Sequence, residues 1–312
     1  MMNGYEALRQ GAGWLDLSER GKIRATGEDR ARLLHAMSTN DVQNLAPGHG
    51  LYTFFLNDKG RILADANIYN LGEELFLDTE AETGRKLFEH VDRFIIADDV
   101  LLEDETNTLA VLGVEGPKSG EIANALKIAV SPEKLGISKA GDGFSAAATV
   151  TGAPGFRLFV PAATKDEWID HLTQAGAVGV SSSEARVVRI ENGTPRYGDE
   201  ISERYLVQET RAMHAIHSNK GCYLGQEIVE RVRSRGQVHR LLTPIQIDSQ
   251  TAPAAGTKIR SGEADVGEIS SAVYSPALGA VTGFAYVRTE ATESRPAMTV
   301  AGSEPAVSVT IR

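Results

Sequence analysis

Near residue 241 the periodicity of the chain changes, and that change restricts its possible folds more than any other feature. Upstream, strand-like runs alternate with amphipathic helical runs. Downstream, residues 242–247, 257–260, 266–274, 280–287 and 307–311 are short β candidates separated by Gly, Pro and Ser. No helical period is legible there, so residues 241–312 read as a separate all-β module, a barrel or sandwich. Residues 1–240 then carry an α+β region, because 312 residues exceed the usual size of one core.

Within the first region, residues 28–37 space Ala31, Leu33, Leu34 and Met37 as a helix does. Residues 51–56 and 61–69 read as strands joined by a turn at Asn57-Asp58-Lys59-Gly60. The second of these alternates around Ile62, Ala64, Ala66 and Ile68. Strict alternation turns Asp65 away from Ile62, Ala64 and Ala66, toward solvent or an interior cavity. Residues 75–77 are another strand, and residues 83–94 an amphipathic helix. The pattern repeats as strand 109–114, helix 117–126, strand 156–160 and helix 164–174. Ser183 is the expected cap of a helix through Ile190, which Gly193 and Pro195 end. Residues 127–155 show no legible pattern.

The formal charge of −10 argues against bulk nucleic-acid binding. The charge is uneven, however. Residues 204–240 hold seven Lys/Arg and three Asp/Glu, a net of +4, which leaves −14 on the rest. A basic island in an acidic protein suits a small anionic ligand, or it is simply a solvated surface. The single cysteine excludes an intrachain disulfide and any four-cysteine metal or iron–sulfur site, and points to a reducing compartment. The amino terminus lacks a signal-peptide pattern, and no apolar run is long enough to span a membrane, so the expected location is cytoplasmic.

Several familiar chemistries leave no trace. There is no Gly-x-Gly-x-x-Gly after a strand, no phosphate-binding loop at Gly116-Pro117-Lys118-Ser119, no His-Glu-x-x-His and no Gly-x-Ser-x-Gly. His214 and His217 are close in sequence, but nothing marks partners for a metal.

The stretch from Lys220 to Arg240 carries more. It reads Lys220-Gly221-Cys222-Tyr223-x-Gly225-Gln226-Glu227, followed by Arg231, Arg233, Arg235 and Arg240. Leu224, Ile228 and Val232 predict a helix from about Tyr223, with Gly221 and Cys222 at its amino-terminal end. There the helix dipole and Lys220 would draw the thiol toward its anionic, reactive form; the plain alternative is a buried, inert cysteine. Arg231 and Arg235, four apart, would share a helix face and could clamp an anion, or cap the helix end. In Arg189-x-Glu191-x-Gly193…Tyr197-Gly198-Asp199, Glu191 is the candidate acceptor for an aminopyrimidine edge; a charged helix stop would look the same.

Lys-Gly-Cys-Tyr-x-Gly-Gln-Glu is the signature of the folate-binding YgfZ-like proteins, relatives of the aminomethyltransferase (T-protein) of the glycine cleavage system. The chain resembles that family along nearly its whole length. Gly13-Trp14-Leu15-Asp16-Leu17-Ser18, Thr39-Asn40-Asp41-Val42, Gly60-Arg61…Asp65…Tyr69, Gly116-Pro117 and Pro276-Ala277-Leu278-Gly279 are its further landmarks. The resemblance implies three subdomains around a central folate channel, the first two α+β and the last a β-barrel. It implies tetrahydrofolate or a one-carbon derivative as ligand. By motif or position it implies a site of Cys222, Lys220 and Asp65, with Glu191, Tyr52, Tyr223, Gly225, Gln226, Glu227, Arg231 and Arg235 binding folate. The implied function is a folate-dependent accessory role in assembly or repair of iron–sulfur enzymes, with those enzymes as clients. The alternative is aminomethyl transfer from a lipoyl carrier protein to tetrahydrofolate; a third reading is a folate-dependent demethylase of small amines. Two departures stand out. Ala64-Asp65 replaces the two adjacent acids common in T-proteins, and His217-Ser218 replaces a Ser-Phe common in YgfZ-like chains.

Overall fold

The computed structural model describes residues 2–236 and 238–312. Two sheets and a closed barrel make up the fold. The first sheet runs in the order Gly50–Leu56, Ile62–Asn70, Leu75–Thr79, Gly21–Thr26 and Leu101–Asp104, all antiparallel. Leu33, Leu34 and Met37 of helix Arg30–Met37 and Leu87 and Val91 of helix Gly84–Asp92 pack on one face of it. Apolar residues at these spacings form one stripe on each helix, which is why the helices lie against the sheet.

The second sheet runs in the order Val178–Gly179, Gly13–Asp16, Leu109–Glu115, Gly155–Pro161, Gly143–Ala146 and Ile137–Ala140. Its first pair is parallel and the others antiparallel. Ile122 and Ala123 of helix Ser119–Ala125 and Leu172 of helix Lys165–Gln174 cover its outer side. The chain enters the second sheet at Gly13–Asp16 before it builds the first, so the two units interleave. Their inner faces meet in an aromatic core of Tyr69 and Phe76 from one sheet and Val111, Ala146 and Phe159 from the other. Phe144 and Phe159 stack there at 4.4 Å between centroids.

Downstream, Arg240–Ile247, Ala280–Arg288, Ala264–Ser275, Lys258–Ser261, Met298–Val300 and Ser308–Ile311 close into a six-stranded barrel, as the change in periodicity requires. Strand Met298–Val300 and the short helix Thr289–Ser294 carry no pattern legible in the sequence. The barrel is attached through Leu242, Phe284 and Tyr286, which pack on Ile190 and Tyr205. The Tyr205 and Tyr286 rings stack at 3.7 Å, with the Arg240 guanidinium over both. Among the described residues no helix is long and apolar enough to cross a membrane.

Three local expectations change. The helix expected after Ser183 is Ser182–Glu191, and its cap is Ser181, whose hydroxyl and Glu184 form a capping box. The unreadable segment 127–155 contains the hairpin of Ile137–Ala140 and Gly143–Ala146. Strict alternation fails at Leu63. Phe55 pairs with Ala64 but Leu56 pairs with Ile62, so Leu63 bulges out of register. Ile62 therefore packs with Phe54, on the face that carries Asp65, while Ala64, Ala66 and Ile68 face the helices.

Candidate active site

A cavity of about 1220 Å³ opens between the two sheets. Helix Ser182–Glu191 and the segment 193–214 complete its wall. From the first sheet it receives Tyr52, Asp65 and Asn67. Cross-strand pairing of Tyr52 with Asn67 and of Phe54 with Asp65 puts these side chains on one pleat face. The Tyr52 hydroxyl donates to Asp65 Oδ2 at 2.7 Å, and the Thr79 hydroxyl donates to the Asp65 main-chain carbonyl at 2.5 Å. Asp65 Oδ1 is buried and has no hydrogen-bond partner among the described residues.

Asp65 is only 7% exposed. Burial, reinforced by the nearby Glu80 carboxylate, pushes its carboxyl up to about 7; the Tyr52 hydrogen bond and the Arg20 charge partly oppose this. A carboxyl held near neutrality on a cavity wall, with one oxygen unpartnered, can accept or hold a proton at physiological pH. His214 stacks on Tyr52 at 5.5 Å between centroids, and burial, with the Lys134 charge, moves its imidazole below the usual histidine value.

The cavity floor is ionic. Asp78 is fully buried between Arg20, at 2.5 Å, and Arg157. Glu80 pairs with Arg20 at 2.5 Å and with Arg196 at 2.9 Å. Arg189 reaches Asp199 and Glu200, each at 2.7 Å. Every arginine of this floor is thus matched by an acid. Arg189 and Asp199 stand in the stretch singled out around Glu191; the others were not expected in the site. The available signal was a charge inside an apolar run: Asp78 in Leu75-Phe76-Leu77-Asp78, and Arg157 in Phe156-Arg157-Leu158-Phe159.

The residues expected to form one site occupy three places. Tyr52 and Asp65 are on the cavity wall. Glu191 is not: its Oε1 accepts from Tyr5 at 2.9 Å and from Ser275 at 2.5 Å, linking the amino-terminal helix to the barrel. Two residues along an α-helix turn the side chain roughly 200°, so Arg189 faces the cavity and Glu191 the barrel.

No residue between Lys220 and Glu227 lines the cavity, nor does Arg231. The Lys220 ammonium donates to the main-chain carbonyls of His35 and, at 2.6 Å, Ser38, and sits 4.7 Å from the Tyr223 ring centroid. It thereby satisfies carbonyls at the end of helix Arg30–Met37. Its burial draws its ammonium down to about 8. Cys222 is exposed. Tyr223 is buried with Phe54, Leu56 and Ile62.

The helix begins at Gln226 rather than Tyr223, because Gly225 ahead of it is left-handed at φ 82° and lies against the turn of the Asp65 hairpin. A Cβ there would stand 2.6 Å from the Asn57 carbonyl oxygen. The Gln226 side chain accepts from the Tyr223 amide at 3.2 Å. Glu227 and Arg231 are exposed. The side chain of Arg235 lies outside the described residues. Among the described residues no group of three His, Cys, Asp or Glu is placed to hold a metal.

Comparison with known proteins agrees with this architecture. Residues 2–220 match the model of the GCVT N-terminal domain, and residues 215–311 that of the glycine cleavage T-protein C-terminal barrel domain. The chain is 28% identical over 295 residues to an aminomethyltransferase of Rubrobacter xylanophilus, covering 92% of this chain and 78% of that protein. It is 27% identical over 274 residues to a putative chloroplastic transferase of Arabidopsis thaliana, covering 85% and 63% respectively. The crystal structure of the glycine cleavage system aminomethyltransferase T from Bartonella henselae superposes with a TM-score of 0.92 at 16% identity, over 99% of this chain and 87% of that one. With both domains matched in order and the three-part fold in place, the chain belongs to the glycine cleavage T-protein (GCVT) family.

Proposed function

We propose that the protein binds tetrahydrofolate, or a one-carbon derivative, in the cavity between its sheets and transfers an aminomethyl-derived carbon to it. The observation that carries this reading is Asp65, a buried carboxyl on the wall of a cavity of about 1220 Å³, one of whose oxygens has no partner among the described residues. Such an oxygen is suited to an N–H donor, as a reduced pterin ring offers. The volume is ample for a ligand with a ring and a tail.

In this reading the donor is an aminomethyl group carried as a thioether-like adduct on a lipoyl arm. Two folate nitrogens replace the sulfur and the amine at the methylene carbon. Two N–H bonds and the C–S and C–N bonds break; two new C–N bonds, one S–H and one N–H form, releasing ammonia. Asp65 orients the attacking ring amine and takes its proton through Oδ1. The cavity walls hold the reactants in line, so rate comes from orientation and proton transfer, without a covalent enzyme intermediate.

A second reading is the accessory role in iron–sulfur enzyme assembly or repair. The observation that favours it is the exposed Cys222 within Lys220-Gly221-Cys222-Tyr223-x-Gly225-Gln226-Glu227, where a thiol is open to a client protein. The position of Cys222 outside the cavity favours the transfer reading, in which the sulfur has no chemical part.

The test has two arms. Tetrahydrofolate at saturation is expected to raise the melting temperature. Incubation with tetrahydrofolate and an aminomethylated lipoyl carrier protein is expected to release ammonia. No thermal shift removes every folate-based reading. A shift without ammonia removes the transferase and leaves the accessory role.

A further inference from the structure

We propose that Tyr52 is a positioning residue that acts through Asp65: its hydroxyl donates to Oδ2 and so fixes the carboxyl in one orientation on the cavity wall. The ligand's identity rests on the folate reading; the geometry does not.

The phenol donates to Oδ2 at 2.7 Å, while Oδ1 has no partner. With Oδ2 engaged as an acceptor, a proton on this carboxyl resides on Oδ1. Rotation of the carboxyl is opposed from both sides. Its strand is pinned where Thr79 donates to the Asp65 carbonyl, and Thr79 is itself joined to Thr83 at 2.7 Å. The Tyr52 ring is held by an edge contact with Phe54 at 5.4 Å and by the stacked His214. The Asn40 side-chain amide donates to the main-chain carbonyls of Tyr52, at 2.9 Å, and of His214, at 3.1 Å, and so fixes the two backbones together. This clamp holds the carboxyl in place on the cavity wall.

The charged and titratable groups around Asp65 are Glu80, just past the neighbouring strand Leu75–Thr79, Arg20, just before strand Gly21–Thr26, Tyr52 on its hairpin partner, and Tyr197 from the connecting segment. Among the described residues only Tyr52 hydrogen-bonds the carboxyl.

The experiment follows the Asp65 carboxyl directly, by NMR titration of full-length protein carrying aspartate labelled at the carboxyl carbon. Tyr52→Phe removes a donor to the ionised form, so the Asp65 midpoint is expected to rise by about one pH unit. A second variant, with 3-fluorotyrosine at position 52, keeps the shape and makes the phenol a stronger donor; the midpoint is expected to fall. If Tyr52→Phe does not fold, the fluorinated protein decides. An Asp65 midpoint that stays put in the variants overturns the proposal. A midpoint that moves as expected, in a protein that tetrahydrofolate does not stabilise, upholds the clamp and sinks the folate reading. An unmoved midpoint in a protein that tetrahydrofolate does stabilise does the reverse.

Discussion

Arg157, from the second sheet, forms an ion pair with Asp78 of the first, joining residues 79 apart in sequence at the floor of the cavity. Asp78 is fully buried and also holds Arg20 at 2.5 Å. Removing its charge strands two buried guanidiniums. Asp78→Asn is expected to cost ~3–5 kcal/mol of stability, read from denaturant unfolding. A loss under 1 kcal/mol would mean the guanidiniums find water instead.

The same pair has a pH signature. Burial alone would raise the Asp78 carboxyl; Arg157 and Arg20 more than offset this and hold it below the usual carboxylate range. A depressed carboxyl contributes stability that is present above its unfolded value, about 3.9, and is lost as pH falls through the folded value. Acid unfolding is therefore expected below about pH 4, and to be less steep in Asp78→Asn.

Asp65 has the opposite sign. Its folded value, about 7, lies above the unfolded one, so folding favours the protonated form and stability declines as pH rises from ~4 toward 7. Asp65→Asn is expected to raise the melting temperature at pH 8 while lowering kcat/KM for carbon transfer ~100- to 10,000-fold. The wild-type kcat/KM is expected to climb through about pH 7 as Oδ1 loses its proton. Full activity in Asp65→Asn would dismiss this carboxyl from the reaction.

Cys222 is exposed and outside the cavity. Cys222→Ala is expected to leave the melting temperature and tetrahydrofolate stabilisation unchanged, with stability altered by less than ~0.5 kcal/mol. Loss of iron–sulfur enzyme activity in cells carrying this variant, with transfer intact, would reinstate the accessory role.

Gly225 is tested by packing rather than by chemistry. Alanine there must adopt φ 82° and place Cβ 2.6 Å from the Asn57 carbonyl oxygen. A loss of about 2 kcal/mol is expected from the left-handed backbone and the clash together. A neutral Gly225→Ala would show that the helix can slide on the hairpin.

The sequence reveals the elements better than it reveals the site. The strand at 51–56 is legible as a short apolar and aromatic run and that at 61–69 by the alternation of Ile62, Ala64, Ala66 and Ile68, and the barrel is legible because its turns are rich in Gly and Pro. The bulge at Leu63 is not, since alternation cannot show where a register slips by one residue. Asp65 stands out as an acid among apolar neighbours. Arg20, Glu80 and Arg196 do not, because their pairing joins segments as much as 116 residues apart. The Lys220–Glu227 block is conspicuous in sequence, yet Lys220, Tyr223, Gly225 and Gln226 are engaged in caps and close packing. A distinctive motif marks a demanding local geometry, and such geometry need not border a ligand.

The last strand of the cylinder, Ser308–Ile311, is bonded on both flanks, to Met298–Val300 and to Arg240–Ile247. Deleting it would unzip the wall and leave two bare rows of amide and carbonyl groups. Such rows recruit neighbouring chains. The four residues of this strand thus guard against self-association, and a change that disturbs them is a hazard to solubility before it is one to chemistry in the cavity.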